Sequence, residues 1–106
     1  MFKFYVIGWC DIRKKDNPRH SHRGELGMGV LKNYRSKGIG SRLLDETLRH
    51  AKKCEIEKVE LGVYTGNKLA IDLYKKFGFQ QEGLIRNYRK LDGTYFDCLV
   101  MAKFLL

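Results

Sequence analysis

The sequence contains no long apolar segment. Its apolar runs stay well short of the roughly 20 residues that a membrane-spanning helix needs, so no membrane partner is expected. It also has no internal repeat, low-complexity tract or linker-like stretch. The 106 residues are therefore predicted to form one domain over positions 1–106. Hydrophobic residues make up 43% of the chain and aromatic residues 12%, which suits a packed core rather than a disordered tail.

Cysteine is scarce and shows no pairing pattern. The three cysteines, Cys10, Cys54 and Cys98, lie far apart and form no C-x-x-C pair, so neither a zinc site nor a disulfide framework is indicated. We expect reduced, buried thiols in a cytoplasmic protein. His20 and His22 would share a face of a strand, but no third ligand lies near them in the sequence, and no metal site is predicted.

Basic residues exceed acidic ones, 21 to 12, which gives a net charge of +9. An excess of this size favours an anionic partner. Nucleic acid, a polyphosphate cofactor and plain solubility all remain open on the charge alone.

Hydrophobic periodicity predicts seven secondary-structure elements. The polar segment 13–23 holds the only proline and is predicted to be an exposed loop. Helical spacing predicts helices over 39–53 and between Asn67 and Gly78. Because helices separate the middle strands, parallel neighbours are expected, and a closing hairpin at Asp92-Gly93 makes the sheet mixed. The fold class is α/β (α+β), in the order β-β-α-β-α-β-β. Alternation predicts the strands over 2–12, 25–31, 59–64, 80–90 and 94–104.

Two glycines alternate along the second predicted strand. Gly27 and Gly29 share the face opposite Leu26, Met28 and Val30. Glycine weakens a strand unless something must approach its backbone closely. A bulge or a ligand lying against that face is therefore expected.

A basic segment with two glycines, Arg35–Arg42, stands between that strand and the first predicted helix. Its sequence is R-S-K-G-I-G-S-R. The first amides of a helix are unpaired, and the helix dipole adds partial positive charge there, so a phosphate is a natural ligand. Gly38 and Gly40 lack the Cβ atoms that would hold a ligand away from the backbone. The segment predicts a pyrophosphate site.

Two common glycine motifs do not match this segment. A P-loop needs G-x-x-x-x-G-K-[ST], but neither glycine here is followed by lysine. A Rossmann fingerprint needs a third glycine where this chain has Leu43, and its absence argues against NAD.

A second motif lies one strand further along the chain. Residues 67–79 read N-K-L-A-I-D-L-Y-K-K-F-G-F. Together with R-x-x-G-x-G over 35–40, this pattern resembles the GNAT superfamily of N-acetyltransferases, and the resemblance runs from about 4 to 105. Within it the chain looks most like small prokaryotic enzymes. The resemblance implies an acyltransferase with acetyl-CoA as co-substrate. Its acceptor would be a small-molecule amine, such as an amino acid, or a protein or peptide N-terminus.

The resemblance also implies cofactor-binding roles. The backbone of the strand before the loop would bind the pantetheine arm and the thioester through Met28, Gly29 and Val30. Asn67 would contact the cofactor, although its chemistry equally suits a helix cap. The pyrophosphate cradle would comprise Arg35, Ser36, Lys37, Gly38, Ile39, Gly40, Ser41 and Arg42.

The same resemblance implies that Tyr74 is the general acid. The alternative is that Tyr74 is only an aromatic residue on the core-facing stripe of its helix. An oxyanion could be stabilised by a backbone N–H near Met28 or Gly29. No base is obvious, because Gly62 stands where some N-terminal acetyltransferases carry glutamate. Glu60 and Glu25 are the nearest replacements, a water chain or no dedicated base are equal alternatives, and Tyr64 is a weaker one.

The family fold normally begins with a strand and two helices ahead of the part matched here. The chain is therefore expected to be truncated at its N-terminus, leaving an open sheet edge that a homodimer or a flanking chain would cover. Two other functions stay open. One is a silent GNAT domain that senses acetyl-CoA. The other is a basic RNA-binding α/β domain, which is disfavoured because the second RRM motif is absent.

Overall fold

A mixed five-stranded sheet and two helices make up the computed structural model, which describes residues 8–31, 35 and 37–105. The predicted order β-β-α-β-α-β-β is confirmed. The first strand runs to residue 14 rather than 12, and the expected strand residues 2–7 lie outside the described part. The elements are β1 (Gly8–Lys14), β2 (Arg23–Val30), α1 (Ile39–Lys53), β3 (Lys58–Tyr64), α2 (Lys68–Lys76), β4 (Gln80–Leu91) and β5 (Thr94–Phe104).

The strands lie in the order β1-β2-β3-β5-β4. β2 and β3 are parallel, whereas β1 with β2, β3 with β5, and β4 with β5 are antiparallel. The mixed sheet and the closing hairpin are as predicted. β5 lies between β3 and β4, so the two strands flanking α2 are not neighbours. Local periodicity could not predict this placement, because it depends on pairing between strands far apart in sequence.

The parallel pairing of β2 with β3 is short. It comprises Arg23↔Lys58, Gly24↔Val59 and Glu25↔Glu60. Beyond Glu25 and Glu60 both strands continue, β2 to Val30 and β3 to Tyr64, but they no longer pair with each other. The sheet therefore has a gap between the C-terminal halves of these two strands.

Both helices pack on one face of the sheet. Leu44 and Leu48 of α1 and Tyr74 of α2 join one hydrophobic core with Val59 and Met101 of the sheet. The helices predicted from the spacing of apolar residues are thereby confirmed. At 15 and 9 residues, neither described helix is long and apolar enough to cross a membrane.

The opposite face, here called the open face, has no helix of the described chain on it. Side chains alternate along β3, so Tyr64 lies on this face, away from the core residue Val63. Trp9 and Phe104 share the face through their pairs Trp9↔Gly29 and Lys58↔Phe104. Both residues are exposed, Trp9 to 48% and Phe104 to 62%.

Trp9 accounts for the alternating glycines of β2. A Cβ on Gly27 would lie 3.2 Å from Trp9 Cζ3, and a Cβ on Gly29 would lie 2.9 Å from Trp9 Nε1. The indole thus lies across both positions. The expected bulge is wrong, because the register runs unbroken from Gly8↔Val30 to Lys14↔Gly24. The close neighbour that the glycines indicated on this face is a side chain of the same sheet.

The three thiols differ in exposure. Cys98 is buried, Cys10 is half-buried and Cys54 is exposed. Burial was correctly predicted for Cys98 and is wrong for Cys54, because Cys54 is the residue that ends α1 and turns away from the core.

Candidate functional site

A cleft of about 400 Å³ lies on the helix side of the sheet, beside the half of β2 that does not pair with β3. Three segments enclose it: the end of β2, the start of α1 and the first turns of α2. Its lining comprises Met28, Gly29, Val30, Arg35, Gly38, Gly40, Ser41, Asn67, Leu69, Ala70, Leu73 and Tyr74.

The cleft brings together most of the residues singled out from the sequence. Lys37, Ile39 and Arg42 belong to the same loop and helix start but are not part of its lining. Glu25 and Glu60 are also outside it, and Ser36 lies outside the described residues. The predicted residues that line it are Met28, Gly29, Val30, Arg35, Gly38, Gly40, Ser41, Asn67 and Tyr74.

Three apolar residues of α2 were missed by the sequence analysis. Leu69, Ala70 and Leu73 line the cleft. Leu73 and Ala70 belong to the apolar stripe that packs a helix on its sheet, so their pattern does not distinguish a ligand contact from core packing. The usable signal was Leu69, an apolar residue that stands off the stripe, and in the structure it is 77% exposed.

The start of α1 is shaped to receive an anion. Gly38 is its N-cap, in the left-handed conformation with φ 78°, and no side chain in the described part of the chain caps the helix. A Cβ on Gly38 would meet no atom of the described residues within 4 Å, so this part of the chain leaves the approach to the helix amides open. The first turn holds no acidic residue, which leaves the positive end of the dipole uncompensated.

Arg35 adds a guanidinium to this end of the cleft. Its Nε donates to the carbonyl oxygen of Val30 over 3.0 Å, which ties the loop to the end of β2. Because one N–H edge is held by the backbone, the cation is fixed beside the helix start. A fixed guanidinium suits a phosphate group.

Asn67 has two roles open to it. Its Oδ1 accepts from the backbone N–H of Ala70 over 3.3 Å, so it caps α2 as its chemistry suggested. Asn67 also lines the cleft. The side-chain NH₂, which capping does not use, remains a hydrogen-bond donor for a ligand.

Tyr74 combines a core ring with access to the cleft. Only 8% of the residue is exposed, and its ring packs against Phe79 with centroids 5.7 Å apart. Burial raises the pKa of the Tyr74 hydroxyl above its ordinary value, and the nearby Cys10 thiol raises it further. The hydroxyl therefore stays protonated at neutral pH and can donate a proton or a hydrogen bond into the cleft.

The two candidate bases sit side by side on the open face. Glu25 and Glu60 are the last paired residues of β2 and β3. Glu60 Oε1 accepts from Arg23 Nε over 2.6 Å, and its Oε2 is 3.8 Å from Lys58 Nζ. Glu25 Oε2 is 3.4 Å from Lys15 Nζ. Both carboxylates stand where the gap begins, each beside a cation.

The neighbouring position 62 has room for no side chain. A Cβ on Gly62 would lie 2.9 Å from Cys98 Sγ, and Cys98 is buried. A glutamate at this position would therefore require the thiol to move.

A metal centre is not formed within residues 8–31, 35 and 37–105, where no group of three or more His, Cys, Asp or Glu could hold an ion. His20 instead contacts Arg23, with Nδ1 and Nη1 3.1 Å apart.

Comparison with known proteins gives one consistent result. A sequence model described as "Acetyltransferase (GNAT) family" matches residues 4–79. The L-amino acid N-acetyltransferase AaaT of Escherichia coli (strain K12) is 32% identical over 99 residues, 92% of this chain and 61% of that protein. An N-alpha-acetyltransferase of Sulfurisphaera tokodaii is 36% identical over 98 residues, 91% of this chain and 57% of that one.

The fold agrees with these matches. The acetyltransferase of GNAT family from Streptococcus pneumoniae superposes with a TM-score of 0.89 at 31% identity, covering 92% of this chain and 60% of that one. The chain thus spans about three fifths of the length of the relatives it matches.

Proposed function

The chain belongs to the acetyltransferase (GNAT) family, and we propose that it transfers an acetyl group from acetyl-CoA to a primary amine by direct attack in a ternary complex. The observation that carries the proposal is the cleft, which extends from the positive start of α1 to Tyr74 along the half of β2 that does not pair with β3. One end suits a pyrophosphate and the other suits an acid catalyst.

Successive parts of the cleft would contact successive parts of the acetyl-CoA molecule. The α1 amides behind Gly38 and the guanidinium of Arg35 would hold the pyrophosphate. The backbone of Met28–Val30 pairs with β1 but not with β3, and on the β3 side it would hydrogen-bond the pantetheine arm in place of a strand. The apolar lining from Leu69 and Leu73 would pack against its methylene groups. Acetyl-CoA, when bound, supplies a thioester carbonyl that an amine can attack.

Tyr74 is the proposed general acid. Its hydroxyl is protonated at neutral pH, so it can give a proton to the thiolate that leaves. A backbone N–H of Met28 or Gly29, on the free edge of β2, would stabilise negative charge on the carbonyl oxygen.

The acceptor amine must lose a proton, and the open face offers two carboxylates for this. Glu25 is the more accessible, with 59% of its side chain exposed against 20% for Glu60. The ion pair with Arg23 holds Glu60 in place. Either carboxylate could take the proton through a water molecule at the start of the gap, because neither lines the cleft itself.

The names of the relatives support an amine acceptor, either an amino acid or a protein or peptide N-terminus. Calorimetry with acetyl-CoA, followed by assays of free thiol release with candidate amines, tests the proposal. Wild type should bind and turn over. Gly38→Glu should abolish binding, because it places a negative charge where the pyrophosphate would lie.

Gly38→Asn is the matched control. Asparagine tolerates the left-handed conformation of position 38 and adds no charge, so the Gly38→Asn variant should still bind acetyl-CoA measurably. Binding of acetyl-CoA without thiol release for any amine would instead identify a silent sensor. No heat with acetyl-CoA, together with RNA binding that weakens steeply with salt, would overturn the proposal altogether.

A further inference from the structure

An arginine on the open face is fixed in place without an acidic partner. Arg89 Nη1 donates to Tyr64 Oη over 3.3 Å, and its guanidinium carbon lies 5.8 Å from the centre of the Tyr64 ring. Phe96 packs against the same tyrosine, with ring centroids 6.1 Å apart. Among the described residues, Arg89 forms no ion pair.

We propose that Arg89 binds the carboxylate of the acceptor, and therefore that the acceptor is a free α-amino acid. The inference rests on the proposed acetyl transfer and specifies its substrate class. Arg89 would be a specificity-determining residue, with no part in the acid–base chemistry.

An irregularity in β4 is what places an arginine at this point. The pairing passes from Ile85↔Cys98 to Arg89↔Phe96, so residues 86–88 face the single residue Asp97. Asn87 adopts φ 52°, and its N–H donates to Asp97 Oδ1 over 2.9 Å. With an unbroken register, Asn87 would stand opposite Phe96. The bulge therefore places the Arg89 guanidinium, and not the Asn87 amide, beside Tyr64. Bulges commonly re-aim a side chain in this way.

The open face is the side from which an acceptor can approach the gap. On the helix side, the core residues Leu61 and Val63 and the ring of Tyr74 fill the space, and the remaining cleft would hold the co-substrate. On the open side, Gly62 is exposed and presents no side chain, although the Cys98 thiol lies beside it, and Tyr64 follows two residues later on the same face. An amine entering at Gly62 would hold a carboxylate, one carbon away, toward Tyr64 and Arg89.

The chemistry of Arg89 matches a carboxylate. Its planar fork binds both oxygens of such a group, and the contact with Tyr64 fixes the fork before a ligand arrives, which lowers the ordering cost of binding. Asp97 does not compete, because it alternates to the other face of β5 and accepts from Asn87. The cations Arg23 and Lys58 are already paired with Glu60.

The test measures kcat and KM of the full chain with acetyl-CoA and each L-amino acid, beside the corresponding amino-acid carboxamide. Arg89→Gln should lower kcat/KM for the amino acids about ten-fold or more, as expected for losing a charged hydrogen-bond partner, with the loss in KM. It should change kcat/KM for the carboxamides less than about two-fold. Arg89→Lys keeps the charge and loses the planar fork, so its kcat/KM for the amino acids should lie between the values of wild type and Arg89→Gln.

Lys90→Gln is the matched control. Lys90 is the next residue, and its Nζ lies 5.2 Å over the ring of Tyr95, so the change removes an equivalent cation from the other face. It should leave both substrate classes unchanged. Equal losses for amino acids and carboxamides in Arg89→Gln, or an equal loss in Lys90→Gln, would overturn the inference and leave the acetyl transfer standing. If none of the amines tested led to thiol release, both the inference and the proposed acetyl transfer would be overturned.

Discussion

The indole nitrogen of Trp9 lies 2.9 Å from the point where a Cβ on Gly29 would stand. Alanine at position 29 would therefore push the ring away from β2. Since Trp9 is half exposed, it can yield partly, and we expect Gly29→Ala to lower the free energy of unfolding by about 1 kcal/mol. Denaturant unfolding measures this change.

A double-mutant cycle assigns the cause. In a Trp9→Leu background the ring is absent, so Gly29→Ala should cost much less. The same cost in both backgrounds would show that strand conformation, and not the indole, requires glycine at this position.

Tyr74→Phe separates binding from chemistry. The ring contact with Phe79 survives the change, so affinity for acetyl-CoA should persist, while kcat should fall by about ten-fold or more because the proton donor is lost. Calorimetry and steady-state kinetics check the two halves. Unchanged kcat would leave Tyr74 as a core aromatic only.

The raised pKa of Tyr74 fixes the direction in which pH changes stability and kcat. Its pKa in the folded chain is raised above 10.0, so the stability it contributes is complete below the unfolded-state value and is lost as the pH rises through the folded-state pKa. The loss of kcat that follows deprotonation of Tyr74 should therefore have its midpoint above the ordinary tyrosine pKa of 10.0. A decline whose midpoint lies below that value and which Tyr74→Phe abolishes would contradict this.

Asn67 can be divided into its two roles by a pair of substitutions. Asn67→Asp keeps the oxygen that caps α2 but removes the NH₂ donor, so it should preserve the melting temperature and weaken acetyl-CoA binding. Asn67→Ala should also lower the free energy of unfolding by about 1 kcal/mol. Full affinity in Asn67→Asp would assign the residue to capping alone.

The thiols should react in an order set by burial. Cys54 is exposed, whereas burial raises the pKa of the Cys10 thiol above its ordinary value. Iodoacetamide at neutral pH should thus label Cys54 first and Cys98 last, and the labelling rate of Cys10 should still be rising with pH beyond the ordinary thiol pKa. Mass spectrometry of timed samples gives the order. Cys10 modified ahead of Cys54 would contradict it.

The elements of this fold were predictable because their signals are local. The Asp92-Gly93 turn and the glycine after α2 each fix a boundary through conformations that few other residues adopt, and both have positive φ. The loop at Gly38 was predictable for the same reason. The loop places a left-handed residue at a helix start without a side-chain cap. The sequence indicates both features, because position 38 is a glycine.

What the sequence could not show depends on contacts between distant residues. The indole of Trp9 over Gly27 and Gly29 joins two strands, and nothing in β2 alone distinguishes that neighbour from a ligand. The ion pair of Glu60 with Arg23 and the placement of Arg89 beside Tyr64 are likewise products of register. The residues were visible in the sequence, but the partners that define their roles were not.

The position of β5 bears on how the chain folds during synthesis. β5 leaves the ribosome after all the other described strands, yet it lies in the middle of the sheet. Until it emerges, β3 and β4 have no strand between them to pair with, and the nascent chain exposes unpaired strand edges. Completion of the sheet must therefore follow translation of residue 104, and a ribosome paused near the Asp92-Gly93 turn would hold an aggregation-prone intermediate.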